Sequence, residues 1–153
     1  MLAIITIGVP LPGTLVNSDP VHFRMTARED RMTPLRILIA EDDAMIPLLL
    51  SDLLAAMGHA ICAVTDTQIG TVAAASLHKP DLMIVDEGLR DGSGSAAVAE
   101  VSLTGFVPHI YATSDCTRVL KAEPKAIFLQ KPFDVETLVR AIERALHPLA
   151  SAG

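Results

Sequence analysis

The sequence predicts an α/β protein of three layers, in which helices cover both faces of a five-stranded parallel sheet. Two observations predict this class. Short apolar runs alternate along the chain with stretches whose apolar residues recur at helical spacing. The apolar runs also lack the polar alternation of a half-exposed strand, as is typical of strands buried on both faces. Strands that alternate with helices favour right-handed crossovers, and therefore a parallel sheet.

Each predicted strand is a short apolar run that ends in a polar residue or a turn. The strands are 35–40, 60–64, 82–86, 107–112 and 126–129. The run 82–85 is the clearest, because four consecutive apolar residues lie between Lys79-Pro80 and the glycine-bearing turn 87–94. It ends in Asp86, at the end of the strand where α/β proteins bind their ligands.

Five helices are predicted between and after these strands. The first stops at Gly58, a residue suited to the left-handed position that follows a helix. The second begins after a cap at Thr65 or Asp66, and the last begins after a cap at Asp134. The two others are a weaker helix of small residues over 96–103 and a short helix within 116–123. The predicted inward faces are Ile46, Leu49, Leu50, Leu53, Leu54 and Met57 in the first helix, Ile69, Val72, Ala73, Ser76 and Leu77 in the second, and Val135, Leu138, Ala141, Ile142, Ala145 and Leu146 in the last.

Length and charge limit the kind of protein this chain can be. Its 153 residues, half of them hydrophobic, suffice for one domain with a full core. We expect that domain over 35–147, with a flexible N-terminal extension at 1–34 and a tail at 148–153. The 12 basic and 18 acidic side chains give a net charge of −6 without a basic cluster, which disfavours nucleic-acid binding.

The cysteines and the first residues of the chain indicate the compartment. Cys62 and Cys116 lie far apart without metal-ligand spacing, so we expect free thiols in a reducing cytoplasm. Gly8 and Pro10 break the apolar start of the chain well short of a membrane span, and the basic segment of a signal peptide is missing. A cytoplasmic protein without membrane contact is therefore predicted.

Polar residues follow four of the predicted strands. Glu41 and Asp42 follow the first strand, and Asp86, Thr113 and Lys131 follow the third, fourth and fifth. The carboxyl ends of parallel strands share one edge of the sheet, so these side chains are expected to lie together. Adjacent carboxylates repel one another unless a cation neutralises them. Oxygen ligands without histidine or cysteine suit a hard ion that keeps several waters, which predicts Mg²⁺.

Such a site has the groups that phosphoryl transfer requires. Catalysis of that reaction consists mostly of positioning the reactants and neutralising charge on the phosphoryl oxygens. Asp86 is predicted to be the nucleophile that forms an aspartyl phosphate. Mg²⁺ and Lys131 would neutralise the phosphoryl oxygens, and the Thr113 hydroxyl would donate a hydrogen bond to one of them.

These residues resemble the receiver domain of bacterial two-component response regulators. The resemblance covers about 35–147 and rests on four parts of the sequence. They are Ile-Leu-Ile-Ala-Glu-Asp-Asp at 37–43, Pro-Asp-Leu-Met-Ile-Val-Asp at 80–86, Thr113, and Lys-Pro-Phe at 131–133. The stretch 111–116, Tyr-Ala-Thr-Ser-Asp-Cys, is similar to a subgroup of stand-alone receivers with Phe-Ala-Thr-Gly-hydrophobic-Tyr there and a shortened fourth helix. It departs from that subgroup at Ser114 and Cys116.

The resemblance implies a flavodoxin-like (βα)5 fold and a phosphorelay function. Asp86 would accept the phosphoryl group from phosphohistidine on a sensor histidine kinase or a histidine phosphotransfer protein. Glu41, Asp42, Asp86 and the Gly88 carbonyl would bind Mg²⁺, and the Lys131-Pro132 bond would be cis. Thr113 and the aromatic Phe128 would form the switch, although Phe128 also suits an ordinary core position.

The resemblance also implies how the signal leaves the domain. Only 148–153 follow the last helix, so no output domain is expected, and the signal would pass to a downstream protein by docking. The protein would not be an enzyme beyond its own phosphorylation and dephosphorylation. A homodimer remains an option. Arg90 replaces the proline that most receivers have, which would loosen the loop after Asp86.

Three rival functions fit the sequence less well. A phosphatase of the haloacid dehalogenase type needs an Asp-x-Asp nucleophile on its first strand, where this chain has Glu41-Asp42-Asp43, and it needs a cap domain. A flavodoxin-like cofactor binder is disfavoured because acids after the first strand would repel the flavin phosphate. A degenerate receiver that only docks is disfavoured because the full set of site residues is present.

Overall fold

The computed structural model describes residues 33–148. Most of the predicted extension at 1–34 and of the tail at 148–153 lies outside the described residues. The strands are β1 Arg36–Ala40, β2 Ala60–Thr65, β3 Leu82–Val85, β4 Gly88–Leu89, β5 Gly92–Ser93, β6 His109–Thr113 and β7 Phe128–Gln130. The helices are α1 Met45–Ala56, α2 Gln68–His78, α3 Gly94–Ser102, α4 Thr117–Ala122 and α5 Val135–Leu146. In this part of the chain no helix has the length and apolar character needed to cross a membrane.

The main sheet has five parallel strands in the order β2-β1-β3-β6-β7, which confirms the predicted fold class. β3 lies at the centre, and all of its residues are buried because both faces of the sheet are covered. A second, two-stranded antiparallel sheet, formed by β4 and β5, occupies the segment predicted as a turn after Asp86. Its strands have two residues each, too few for a recognisable apolar pattern.

Alternate residues of the strands feed two hydrophobic cores, one on each face of the sheet. Ile37, Ile39 and Ile84 pack with α1 and α5 on one face. Leu38 and Met83 pack with α2, α3 and α4 on the other. This alternation follows from the pleat of a strand, which points successive side chains to opposite faces. The three predicted layers are therefore confirmed.

The predicted inward face of α2 is wrong. Thr71 and Ala75 are buried, whereas Ile69 and Leu77 are 77% and 76% exposed. Helix α2 carries apolar or small residues all round, so periodicity alone does not choose between its two faces. In α1, the predicted inward residue Leu49 is exposed, and the buried positions are Pro47, Leu50 and Leu54. In α5, Val135 is exposed, while the other predicted positions are at least partly buried.

The helix ends follow local hydrogen bonding, and one predicted cap is wrong. Thr67, rather than Thr65 or Asp66, caps α2, because its hydroxyl accepts a hydrogen bond from Gly70 N at 3.0 Å. Gly58 has a φ of 90° directly after the last turn of α1, as predicted. Asp134 caps α5 by accepting from Thr137 N at 2.8 Å, which confirms that prediction.

Small shifts separate the predicted and observed strands. β6 begins at His109, beyond Pro108, and extends to Thr113, and β7 runs from Phe128 to Gln130.

Helix α4 has six residues, which confirms the prediction of a short helix. Cys62 and Cys116 are free, as predicted.

His59 is a buried histidine whose protonation the fold opposes. It follows α1, is 5% exposed, and accepts a hydrogen bond from Leu35 N at its Nδ1. Its Nε2 has no hydrogen-bond partner among residues 33–148. Burial lowers the pKa of His59, since the charged imidazolium loses its hydration.

We expect this histidine to make the fold less stable in acid. Below the ordinary histidine pKa of about 6.5, the unfolded chain binds a proton that the folded chain does not. Stability from neutral His59 is therefore complete above about pH 6.5 and lost as the pH falls towards the lower folded pKa. Urea unfolding at several pH values should show a smaller acid loss in His59→Asn, whose amide oxygen keeps an acceptor for Leu35 N. Equal acid losses in the two proteins would contradict the prediction.

Candidate functional site

The register of the sheet places the predicted site residues at one edge. Ala40 pairs with Val85, so Glu41 and Asp86 follow neighbouring positions, and Asp86 N donates to Ala40 O at 2.8 Å. Thr113 pairs with Gln130, and Lys131 N donates to Thr113 O at 2.9 Å. The carboxyl ends of β1, β3, β6 and β7 thus deliver the acids, the hydroxyl and the ammonium to one place, as predicted.

Three carboxylates converge at this edge. Glu41, Asp42 and Asp86 each offer one oxygen, and these oxygens lie within 4.8 Å of one another. Glu41 is 4% exposed, whereas Asp42 is exposed and Asp86 is partly buried. An oxygen-only donor set with open solvent on one side suits Mg²⁺, which keeps several of its waters. Gly88 N donates to Asp86 Oδ1 at 3.3 Å, while the predicted role of the Gly88 carbonyl stays a prediction.

Lys131 bridges the acids. Its Nζ lies 2.5 Å from Glu41 Oε2 and 3.4 Å from Asp86 Oδ2. Burial opposes the charge of Lys131, but the hydrogen bond to Glu41 and the nearby Asp86 carboxylate raise its pKa above the ordinary value. The Lys131-Pro132 bond is cis.

The buried carboxyl group of Glu41 has a raised pKa. Its burial and its contact with Asp86 raise its pKa from 4.5 to about 7, although the Lys131 ammonium and the N–H of Asp43 act in the opposite direction. A divalent cation beside these carboxylates would favour their charged forms.

The two predicted switch residues lie close to this edge without touching the acids. Thr113 is 5% exposed, and its hydroxyl donates to Asp115 O at 3.0 Å and accepts from Asp115 N at 3.2 Å. Phe128 is partly buried and packs against the core beneath α3 and α4. Neither residue forms a hydrogen bond with Asp86 in the described part of the chain.

Several side-chain contacts hold the loop after Asp86. Glu87 accepts hydrogen bonds from Ser95 N at 2.9 Å and Ser95 Oγ at 2.8 Å, at the start of α3. Arg90 forms an ion pair with Asp66, and Asp91 accepts from the first two N–H groups of α2. The expectation that Arg90 loosens this loop stays a prediction. Helix N-termini attract carboxylates, but the partner helices of Glu87 and Asp91 cannot be read from the sequence.

A polar cluster on the sheet face beneath α3 and α4 was missed by sequence reasoning. Tyr111 OH donates to Glu123 Oε2 at 2.9 Å, and His109 Nε2 lies 3.0 Å from both Glu123 oxygens. Tyr111 is 1% exposed. Burial, with the adjacent Glu123 carboxylate, raises its pKa, so the phenol remains a donor. Because Tyr111 precedes Thr113 by two residues in β6, this cluster links the site edge to the end of α4.

A cavity of about 560 Å³ opens beside the acids. Its lining includes the acids Glu41, Asp42 and Asp43 and the apolar side chains of Pro47 and Leu48. The rest of the lining includes Val64, Thr65, Asp66 and Arg90. The acids are thus reachable from solvent across a partly apolar surface.

Comparisons with known proteins give relatives of one kind. No model of a known protein family matches the chain. The chain is 33% identical over 125 residues to the transcriptional regulatory protein PdtaR of Mycobacterium tuberculosis, and the match covers 79% of this chain and 61% of PdtaR. The chain therefore spans less than two thirds of that curated relative.

Solved structures that resemble this chain include receiver domains of response regulators. The receiver domain of the response regulator PhyR from Erythrobacter litoralis is 30% identical, with a TM-score of 0.70, over 80% of this chain and 97% of that domain. The response regulator domain of Thermotoga maritima CheB has a TM-score of 0.68 over 75% of this chain and 98% of that domain, at 18% identity. The CheB likeness shows the fold alone.

Proposed function

Because this chain belongs to the receiver-domain family of response regulators, we propose that it accepts a phosphoryl group on Asp86 in a two-component phosphorelay. The observation that carries the proposal is the joint placement of acids and cation. Glu41, Asp42 and Asp86 converge within 4.8 Å, and Lys131 Nζ lies 3.4 Å from Asp86. A sensor histidine kinase or a histidine phosphotransfer protein would be the donor.

The proposed reaction moves one phosphoryl group between two side chains. The P–N bond of phosphohistidine breaks while a carboxylate oxygen of Asp86 forms a P–O bond. The electron pair of the broken bond stays on the imidazole nitrogen of the donor. Lys131 neutralises charge on the phosphoryl oxygens, and Thr113 donates its hydroxyl hydrogen to one of them once it leaves Asp115.

Glu41, Asp42, Asp86 and the Gly88 carbonyl would hold Mg²⁺, which supplies further neutralisation of the phosphoryl oxygens. Beyond its own phosphorylation and dephosphorylation the protein would not be an enzyme. It would act in the cytoplasm by docking on a downstream protein.

The proposal is tested by phosphorylating the full chain without a kinase. Incubation with Mg²⁺ and acetyl phosphate is expected to add one phosphoryl group to the intact mass, and BeF₃⁻ with Mg²⁺ is expected to shift the NMR signals of Asp86 and Lys131. Asp86→Asn should abolish the labelling. The matched control is Asp52→Asn, which makes the same change at an exposed position of α1 and should label normally.

Two results would contradict this function. An unchanged mass together with an unchanged NMR spectrum under saturating Mg²⁺ would favour a docking module that works without phosphorylation. Turnover of a phosphomonoester with release of inorganic phosphate would favour an aspartate-nucleophile phosphatase. If Asp86 is labelled as expected, phosphotransfer from the histidine kinases of the same organism would identify the donor.

A further inference from the structure

The outer face of α2 is apolar along its whole length. Ile69 and Leu77 are 77% and 76% exposed, and Ala73 lies between them on the same face. No charged side chain occurs from Gln68 to Leu77. Surface helices normally turn charged residues to solvent, and a helix that is apolar all round is normally covered on both sides. The sheet covers one side of α2 through Thr71 and Ala75, and the described part of the chain leaves the other side open.

The spacing of this face makes it complementary to itself. Ile69, Ala73 and Leu77 are four residues apart, so they form one stripe with the smallest side chain in the middle. If two copies of α2 pack antiparallel about Ala73, Ile69 of each copy meets Leu77 of the other. Such reciprocal contacts are what a twofold interface requires. The small central residue lets the two backbones approach closely.

The charges at the two ends of α2 favour the same arrangement. The N-terminal end carries more acid than base, with Asp66, Asp91 and Glu100 around Arg90. The C-terminal end carries more base than acid, with Lys79 and Arg36 around Asp81. Antiparallel packing sets the acidic end of each copy against the basic end of the other, and it also opposes the two helix dipoles.

We propose that this α2 face, Ile69, Ala73, Ser76 and Leu77, binds the same face of a second copy of this chain. The helix has 11 residues and is about 16 Å long, so the contact is small. Interfaces of this size belong to transient complexes, so a weak and reversible dimer is expected. A membrane suits the face poorly, because the helix lacks the lysine and arginine residues that bind anionic lipid. The dimer does not depend on phosphorylation of Asp86.

Sedimentation velocity of the full chain, from dilute to the highest soluble concentration, tests the proposal. A reversible monomer–dimer equilibrium is expected, and Ala73→Glu should leave only monomer because it places two carboxylates at the centre of the contact. Leu49→Glu is the matched control, since it adds the same charge at a 54% exposed leucine of α1, on the opposite side of the sheet. Circular dichroism checks that both variants fold.

Cross-linking tests the register. With Cys62 and Cys116 replaced by serine, Ala73→Cys is expected to form a disulfide-linked dimer under mild oxidation, whereas Leu49→Cys is not. A wild type that stays monomeric at every concentration would overturn the proposal and leave the face to a different protein or to lipid, which vesicle flotation would reveal. A dimer that survives Ala73→Glu, or that Ala73→Cys does not cross-link, would overturn it as well.

Discussion

Replacing Lys131 with methionine is expected to lower the free energy of unfolding by about 2–4 kcal/mol near neutral pH in the absence of Mg²⁺. The Lys131 ammonium lies 2.5 Å from Glu41, whose side chain is only 3% exposed. Methionine keeps most of the packing volume but leaves Glu41 and Asp86 together without their cation. Lys121→Met is the matched control, because it removes a lysine from the exposed surface of α4, and it should change stability little.

The loss should depend on pH in a defined direction. The pKa of Glu41 is already raised to about 7, and removing Lys131 raises it further. Between the ordinary pKa and the folded pKa, the folded protein binds a proton that the unfolded chain has released, so stability falls as the pH rises. The gap between Lys131→Met and the wild type should therefore widen above about pH 7.

A double-mutant cycle separates the ion pair from other effects. Adding Glu41→Gln to Lys131→Met should recover most of the lost stability, because a neutral amide needs no cation. Urea unfolding of the four proteins measures this coupling, and Mg²⁺ should narrow the gap for Lys131→Met. If Lys131→Met is as stable as Lys121→Met above pH 7, the lysine does not neutralise the acids.

The position of the site could be predicted from the sequence because it depends only on where the strands end and on their parallel direction. An unbroken apolar run such as 82–85 identifies a strand that is covered on both faces. In a parallel sheet the carboxyl ends of all strands lie at one edge, whichever helices connect the strands. Asp86, Thr113 and Lys131 therefore fall together without any knowledge of side-chain contacts.

The partners of these side chains could not be predicted in the same way. Lys131 lies closer to Glu41 than to Asp86, although β1 is farther from β7 in the sheet than β3 is. Glu123 accepts its hydrogen bonds from His109 and Tyr111, and it meets them only because α4 is short and ends over β6. Such contacts depend on the angle at which one element crosses another, and residue order does not encode that angle in a readable form.

The inward face of α2 was predicted wrongly for a similar physical reason. A pattern of apolar residues identifies a buried face only when the opposite face is polar. In α2 both faces are apolar or small, and the sheet selects Thr71 and Ala75 because small side chains let the helix approach β2 closely. The larger Ile69 and Leu77 are left outside.

Replacing Gly94 with alanine is expected to displace Asp86, the proposed phosphoacceptor, through its backbone. Gly94 is the buried first residue of α3, and a Cβ atom there would lie 2.2 Å from Asp86 O and 2.7 Å from Val85 Cγ1. Both contacts are too short, and one of them is with backbone, so α3 or the end of β3 must move. We expect a loss of about 1–3 kcal/mol in the free energy of unfolding, together with slower labelling of Asp86 by acetyl phosphate.

Gly88→Ala is the matched control for this effect. It makes the same change in the same loop, but a Cβ atom at Gly88 meets nothing within 4 Å, and its backbone carbonyl is kept. Its free energy of unfolding should therefore stay close to that of the wild type, which urea unfolding measures. Intact-mass kinetics then compare Gly94→Ala with the wild type. If Gly94→Ala is as stable as the wild type and is labelled as fast, the contact between α3 and Asp86 does not set the position of the carboxylate. If it is less stable and is labelled more slowly, the buried start of α3 helps to fix that position.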